Sequence, residues 1–253
     1  MLAAARHQAI LELLQERGSV QVSDLSERMG VTPKTIREDL EKLEEKGLLA
    51  RTHGGAVSPA GEAEPLLPLQ IPNTKHLSEK EAIAVHALRY IQQDDIIALD
   101  AGSTTLEIAR RLPNEPLTVL TNDLLIIREL IGKDRIRLVV PGGYRQRNVL
   151  IGNEALDWLG KLNVQKLFLS STGVHEKYGL TVFTGELIEL KKAYLANAKE
   201  IYCVADHSKF GRAALLTFAE LKDIEVFITD GGLDDESVRR YIAGGAKRIE
   251  RAL

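Results

Sequence analysis

SVQVSDLSERMGVTPKTIREDLEKLEEKGLLARTHGGAV, residues Ser19 to Val57, is the stretch that decides how this 253-residue chain folds. Val22, Leu25 and Met29 recur at helical spacing and Gly30 stops the run. Thr32 is then a natural N-cap, and Pro33 suits the first helical position, where a missing N–H costs nothing. Ile36, Leu40 and Leu43 form one apolar stripe, closed by Gly47. Upstream, Ile10, Leu13 and Leu14 predict a further helix that ends at Gly18. Downstream, Leu48 to Thr52 and Ala56 to Val57 flank His53-Gly54-Gly55, a hairpin with a glycine turn. Helices followed by a hairpin in this order make a small winged helix-turn-helix domain over residues 1–57.

The stripe leaves Lys34, Thr35, Arg37 and Glu38 facing outward near the helix N-terminus, the part of a recognition helix that enters the major groove. Arg37 is placed to bond a guanine edge, and Thr32, Lys34 and Thr35 to hold backbone or bases. Arg51 and His53 sit on the wing beside flanking phosphates or the minor groove. Residues 1 to 58 carry eight basic and nine acidic side chains, a net charge of −1. Loose binding driven by bulk charge is therefore excluded; binding to double-stranded DNA has to rest on a local patch, doubled in a homodimer or homotetramer. The alternative is a winged helix that binds protein through a solvated charged face.

Outward from this head, Ser58 to Thr74 contain four prolines and no helical or strand period, so residues 58–77 are expected to form a linker. A body then fills residues 78–253, opened by a helix from Ser78 to about Gln92 with Ser78 and Glu81 as a capping box. From there β-rich runs (Ile96–Leu99, Leu117–Leu120, Ile136–Val140, Lys166–Leu169, Ile201–Ala205, Val226–Thr229) alternate with helical stretches (Thr104–Leu112, Asp123–Ile131, Asn153–Gly160, Glu186–Ala198, Asp234–Ala243). Such alternation predicts an α/β domain with a mainly parallel sheet, helices on both faces and a ligand crevice off the carboxyl ends of the strands.

The residues at those strand ends have the chemistry of an anion cradle. Asp100-Ala101-Gly102-Ser103-Thr104-Thr105 follows the first strand, with Thr104 and Glu107 as a second capping box. Thr121-Asn122 follows the second, Gly142-Gly143 with Arg145 the third, Ser170 to Gly173 the fourth, and Asp206-His207-Ser208-Lys209 the fifth. Gly143 allows close backbone approach, Lys209 or Arg145 supplies positive charge, and Asp100 and Asp206 are expected to accept from sugar hydroxyls. Glu186, after Gly185, either reaches the crevice or lies on the surface with the helix dipole. Arg147 and Lys192 read as solvated.

Composition places the chain among globular proteins: 44% hydrophobic, 27% charged, net charge −3. No run is long enough to span a bilayer and the N-terminus lacks a signal-peptide core, so a cytoplasmic location without membrane contact is expected. The single cysteine, Cys203, lies in an apolar run and reads as a buried strand residue. The six histidines are scattered, which gives no metal site, and no cofactor is expected.

Both parts resemble the DeoR family of bacterial transcriptional regulators. In the head the resemblance rests on Val31-Thr32, Thr35-Ile36-Arg37-Glu38-Asp39-Leu40 and Arg51-Thr52-His53-Gly54-Gly55. Thr32 replaces the usual serine, and Glu38 stands where the family commonly has a second arginine; Glu38 is placed to meet a cytosine amino group or to pair with Lys34 or Lys42. In the body it rests on Glu79-Lys80, Asp100-x-Gly102-Ser103-Thr104-Thr105, Thr121-Asn122, the glycine pair and Ala205 to Gly211. The resemblance implies a sensor domain similar to ribose-5-phosphate isomerase-type enzymes, a phosphorylated sugar as effector, and Asp100, Gly102, Ser103, Thr104, Thr105, Asn122, Gly143, Glu186, Asp206 and Lys209 as its contacts. The function it implies is a repressor of a carbohydrate operon, not an enzyme. The competing reading is a sugar-phosphate isomerase or deaminase carrying a winged helix, for which Asp230-Gly231-Gly232-Leu233-Asp234-Asp235-Glu236 is the acidic cluster to consider.

Overall fold

A computed structural model describes residues 6–7, 9–11, 13–14, 19–45, 49–57 and 75–252. The chain divides into two compact units, 1–67 and 68–253. Most of the linker expected at 58–77, together with Gly18 and Gly47, lies outside the described residues.

In the first unit the described residues between 6 and 14 are helical. Strand β1 (Ser19–Gln21) leads into α1 (Val22–Met29), which ends where Gly30 takes the left-handed conformation at φ 63°. Helix α2 (Pro33–Glu45) starts as its sequence requires: the Thr35 N–H donates to Thr32 Oγ1 at 3.3 Å. Strands β2 (Ala50–Thr52) and β3 (Gly55–Val57) form the wing, and β1 adds to it in the order β1-β3-β2. That third strand explains the second glycine of the wing, since a Cβ on Gly55 would lie 1.9 Å from the Val20 carbonyl oxygen. Ile10, Leu25, Ile36, Leu40, Leu43, Leu49 and Ala56 pack the core. Asp39 is buried beside them, accepting from Arg6 Nε at 2.7 Å and meeting His7 Nε2 at 2.9 Å. Burial alone would raise its carboxyl; the hydrogen bonds from Arg6 and His7 overcome that and hold it below the usual range.

The second unit is built on seven parallel strands: β4 (Ile96–Leu99), β5 (Leu117–Leu120), β6 (Ile136–Val139), β9 (Val164–Leu169), β12 (Ala198–Val204), β14 (Val226–Asp230) and β15 (Ile249–Ala252). Their order is β15-β14-β12-β9-β4-β5-β6, so the winding reverses between β4 and β9. Successive residues serve opposite faces. Ile97 and Leu99 pack under α3 (Leu77–Ala87), α4 (Ser103–Arg111) and α5 (Leu124–Leu130); Ala98 joins the core under α6 (Asn153–Leu159), α7 (Glu186–Asn197) and α8 (Asp235–Ala243). A hairpin of β7 (Tyr144–Gln146) and β8 (Val149–Ile151), and an antiparallel sheet of β10 (Gly173–His175), β11 (Gly179–Val182) and β13 (Leu216–Ala219), flank the carboxyl end of the main sheet. These short strands carry too few apolar residues to show a period.

Both expected capping boxes are absent. Helix α3 starts at Leu77 behind His76, which has φ 56° and makes no side-chain cap, and Glu81 pairs with Arg111 at 3.2 Å instead. The helix ends at Ala87, with a single 3-10 turn over 88–90, short of Gln92. Helix α4 starts one residue early, at Ser103, and its Glu107 turns inward to hold Arg110 and Arg111. Among the described α-helices of this unit, two starts do carry side-chain caps: Asp234 accepts from the Ser237 N–H at 2.8 Å, and Asp123 accepts from those of Leu125 at 2.7 Å and Ile126 at 3.1 Å.

Asp123 is the costly one. Burial pushes its carboxyl up to about 6, against the two N–H groups that favour the charge, with the charge of Asp100 adding to the rise. A folded pKa above the ordinary 3.8 means that stability falls as pH rises through about 6 and is recovered as pH drops toward 4. Asp123→Asn keeps an acceptor and cannot ionise. Urea unfolding should therefore show the variant gaining on the parent by about 2 kcal/mol more at pH 8 than at pH 4.5. A pH-independent difference would contradict this environment.

Candidate functional site

On the head, Thr32, Lys34, Arg37 and Glu38 are exposed and Thr35 is half-buried behind them, so the N-terminal turn of α2 presents one polar surface. Among the described residues Glu38 has no ion pair with Lys34 or Lys42, which leaves its carboxylate facing outward beside Arg37. Arg51 and His53 are exposed on the wing. Arg51 is partly committed to its own domain: its N–H donates to Glu44 Oε1 at 2.8 Å, and its guanidinium lies 3.8 Å from Glu41 and 3.9 Å from Glu44. The free positive charge of this surface is thus concentrated on Lys34 and Arg37.

In the second unit a cavity of about 310 Å³ opens where the sheet reverses, between the loops after β4 and β9. An open parallel sheet binds ligands at this place, because two adjacent connections leave in opposite directions and expose the strand ends. Its walls are Ala101 to Thr104, Ser170 to Thr172, Val182, Leu187, Lys191, Val204, Ala205 and Lys209. Of the residues expected from the sequence, Gly102, Ser103, Thr104 and Lys209 line it. Gly102 is required by the approach of the two loops, since a Cβ there would meet Ser170 Cβ at 2.7 Å.

The others sit one step back. Asp100, expected to accept from a ligand, is only 2% exposed, and its Oδ2 accepts from Lys191 Nζ, from the Ser170 N–H at 2.9 Å and from Ser170 Oγ at 2.8 Å. Thr105 donates inward to the carbonyls of Asp100 at 2.6 Å and Gly102 at 2.9 Å. Asn122 is fully buried, donating to the Leu150 carbonyl at 3.1 Å and meeting Tyr194 Oη at 3.4 Å. Gly143 and Arg145 belong to the β7–β8 hairpin and not to the cavity wall. The glycine is needed there because φ is +104° and a Cβ would sit 2.2 Å from the Ile151 carbonyl oxygen; Arg145 Nε donates to the Arg147 carbonyl at 2.8 Å. Asp206 caps the turn that carries Lys209, accepting from the Ser208 N–H at 3.1 Å, while its Oδ2 is buried without a hydrogen-bond partner. Glu186 opens α7, and its side chain lies outside the described residues.

Two lysines were given no role in the site by the sequence, although Glu79-Lys80 is among the motifs that carry the resemblance. Lys191 lines the cavity and Lys80 is buried on α3 in the fields of Asp206, Lys209 and Glu107, where burial lowers its ammonium below the usual range. Both leave a signal: Leu187, Leu190, Lys191 and Tyr194 share one helical stripe, as do Lys80, Ile83, Ala84 and Ala87. A charge on an apolar stripe has to find a partner inside. The acidic cluster after β14 carries no comparable opening: Asp230 holds the His207 N–H and ring at 2.7 Å each, and Asp234 caps α8. Burial pushes the Cys203 thiol up to about 12, so it stays protonated. No group of three or more metal-ligating side chains occurs among the described residues, and none of their helices is long and apolar enough to cross a membrane.

Comparison with known proteins matches residues 6–61 to the DeoR-like helix-turn-helix domain and residues 75–231 to the DeoR C-terminal sensor domain. The chain belongs to the DeoR family of transcriptional regulators. Similar curated proteins include the HTH-type transcriptional regulator IolR of Bacillus subtilis, 36% identical over 91% of this chain and 92% of that one. The regulator GlpR of Haloferax volcanii is 33% identical over 99% and 98%, and the glycerol-3-phosphate regulon repressor of Escherichia coli 31% identical over 91% and 92%. Among solved structures, ribose 5-phosphate isomerase A of Methanocaldococcus jannaschii is 20% identical with a TM-score of 0.39 over 55% of each chain. eIF2B delta of Chaetomium thermophilum is 15% identical with a TM-score of 0.45 over 61% and 56%. This DeoR-family chain is thus a DNA-binding transcriptional regulator with a sensor domain.

The close approach at Gly102 gives a direct check on the cavity of this regulator. Gly102→Ala should lower stability by about 1–3 kcal/mol, because the rigid Ser170 Cβ and the backbone behind it must move. Thermal unfolding measures it; an unchanged midpoint would mean that the two loops are further apart than described.

Proposed function

We propose that this regulator is an effector-controlled repressor of a carbohydrate operon. Two or four copies read an operator through the first turn of α2 and the wing, and a phosphorylated sugar in the sensor cavity lowers operator affinity. The observation that carries the effector half is the open cavity at the sheet reversal, where the amino end of α4 and Lys209 face the same space. Among the described residues Lys209 has no ion-pair partner, so its charge is available to a phosphate; the N–H groups at the start of α4 add donors of the right polarity. The printed name of the Escherichia coli relative, a glycerol-3-phosphate regulon repressor, supports a phosphorylated small polyol as the ligand class. A cavity of about 310 Å³ suits that size. The DNA half rests on Lys34 and Arg37, the exposed basic pair of a head whose net charge is otherwise unfavourable.

The size of the required coupling is modest. Shifting a population from 99:1 to 1:99 takes a preference of about 5.5 kcal/mol for one state, within reach of a phosphate and several hydroxyl contacts. An operator selected in vitro from random DNA, titrated in the presence of glycerol 3-phosphate, ribose 5-phosphate, fructose 1-phosphate and fructose 6-phosphate, tests both halves. At least one of these should weaken operator binding by about tenfold or more, and none doing so would reject effector control. Arg37→Ala should cost about 1–3 kcal/mol of operator binding while leaving the thermal shift produced by that ligand intact. Unaltered operator affinity in the variant would move the DNA contact away from α2.

A further inference from the structure

Among the described residues two cations and no carboxylate line the cavity, yet the cations are not equivalent. Lys209 is half-buried with no ion pair among the described residues. Lys191 is 4% exposed, and its ammonium is neutralised by Asp100 from behind the wall while a second N–H goes to the Ser170 carbonyl at 2.9 Å. Beneath it lies the ring of Phe218, 5.1 Å from Nζ. An ammonium has three N–H groups. One goes to Asp100, one to the Ser170 carbonyl, and the third makes only a long contact with Ser170 Oγ at 3.4 Å, so a ligand atom that takes over this weakest contact meets an ion pair with no net charge. The two ends of the cavity therefore differ: a net positive end at Lys209 and α4, and a neutral, hydrogen-bonding end at Lys191 and Ser170.

Resting on the phosphorylated-sugar reading above, we propose that the buried Asp100–Lys191 pair is a charge filter, which offers a donor to an uncharged oxygen of the ligand and rejects a second anionic group at that end. A second phosphate would bring its charge next to the Asp100 carboxylate across a poorly hydrated wall, and like charges so placed oppose binding strongly. Asp100 is then a positioning residue: it does not touch the ligand, and it sets which charge state of the ligand Lys191 accepts. Replacing the carboxylate by an amide of the same size would leave Lys191 as an uncompensated cation and reverse the preference.

The test is isothermal titration of the full chain, in buffer free of phosphate, with fructose 1-phosphate, fructose 6-phosphate and ribose 5-phosphate against fructose 1,6-bisphosphate and ribose 1,5-bisphosphate. The parent protein should bind its best monophosphate at least about tenfold more tightly than the matching bisphosphate. In Asp100→Asn that ratio should move by about tenfold or more toward the bisphosphate, and in Asp100→Asn/Lys191→Met, where both charges are gone, it should return to within about threefold of the parent value. A merely structural role for Asp100 would weaken both ligands together and leave the ratio fixed, which overturns the proposal. So does a parent protein that binds the bisphosphate as well as the monophosphate, and this outcome decides the matter even if Asp100→Asn does not fold. Binding of none of the five sugars, nor of glycerol 3-phosphate titrated beside them, to parent or variants, would instead overturn the phosphorylated-ligand reading and the filter with it.

Discussion

Lys191 reaches from α7 across the end of the sheet to Asp100, and the cavity opens beside that contact. Asp100 follows β4 and Ser170 follows β9, the two neighbouring strands between which the winding reverses. The ammonium and the Ser170 hydroxyl and N–H all converge on Asp100 Oδ2, while the Ser170 carbonyl accepts from the ammonium, so three chain segments are tied at one point. Withdrawing two charges from water costs several kcal/mol per ion, and a buried pair of this sort is tolerated only when further hydrogen bonds complete both groups. Here they do. Such a pair is weak evidence for stability and good evidence for geometry: it ties the loops after β4 and β9 together at the edge of the cavity.

The head repeats the device on a smaller scale. Asp39 sits on the buried side of α2 between Ile36 and Leu40 and draws Arg6 and His7 of the preceding helical segment onto it. The recognition helix is oriented by this contact as well as by Ile36, Leu40 and Leu43. Its outward face can then be polar without being strongly basic. In both units the charges that shape the site are hidden, and the charges free to meet a partner are few.

This division explains how far the sequence could be read. Apolar runs such as Ile96–Leu99 and Val226–Thr229, and stops such as Gly30, act through local periodicity and appear in the structure within one or two residues. Asp39, Lys80 and Lys191 each fall on an apolar stripe, but a periodicity reading counts what is hydrophobic and passes over the charge that breaks the pattern. The charged partners of Asp39 and Lys191 lie far along the chain, Arg6 being 33 residues from Asp39 and Asp100 being 91 from Lys191, so no local rule finds them. The capping boxes failed for a related reason. Ser78 and Thr104 have the right neighbours at the right spacing, but the glutamates are engaged elsewhere: Glu81 pairs with Arg111 across α3 and α4, and Glu107 pairs with Arg110 and Arg111 one turn on in its own helix.

The D-x-G-S-T-T run is best understood residue by residue. Ser103 and Thr104 face the cavity, Gly102 lets the loop pass under Ser170, and Asp100 and Thr105 face the other way. Thr105 closes the loop upon itself by donating to the Asp100 and Gly102 carbonyls, at the point where α4 begins beside the cavity. On the phosphorylated-sugar proposal, the backbone N–H groups at the start of α4 would carry much of the affinity for an anion, and no side-chain substitution removes them directly. The side chains with the greatest leverage over the cavity are those that hold the loop, because moving a set of aligned donors costs more binding than deleting one hydroxyl at its rim.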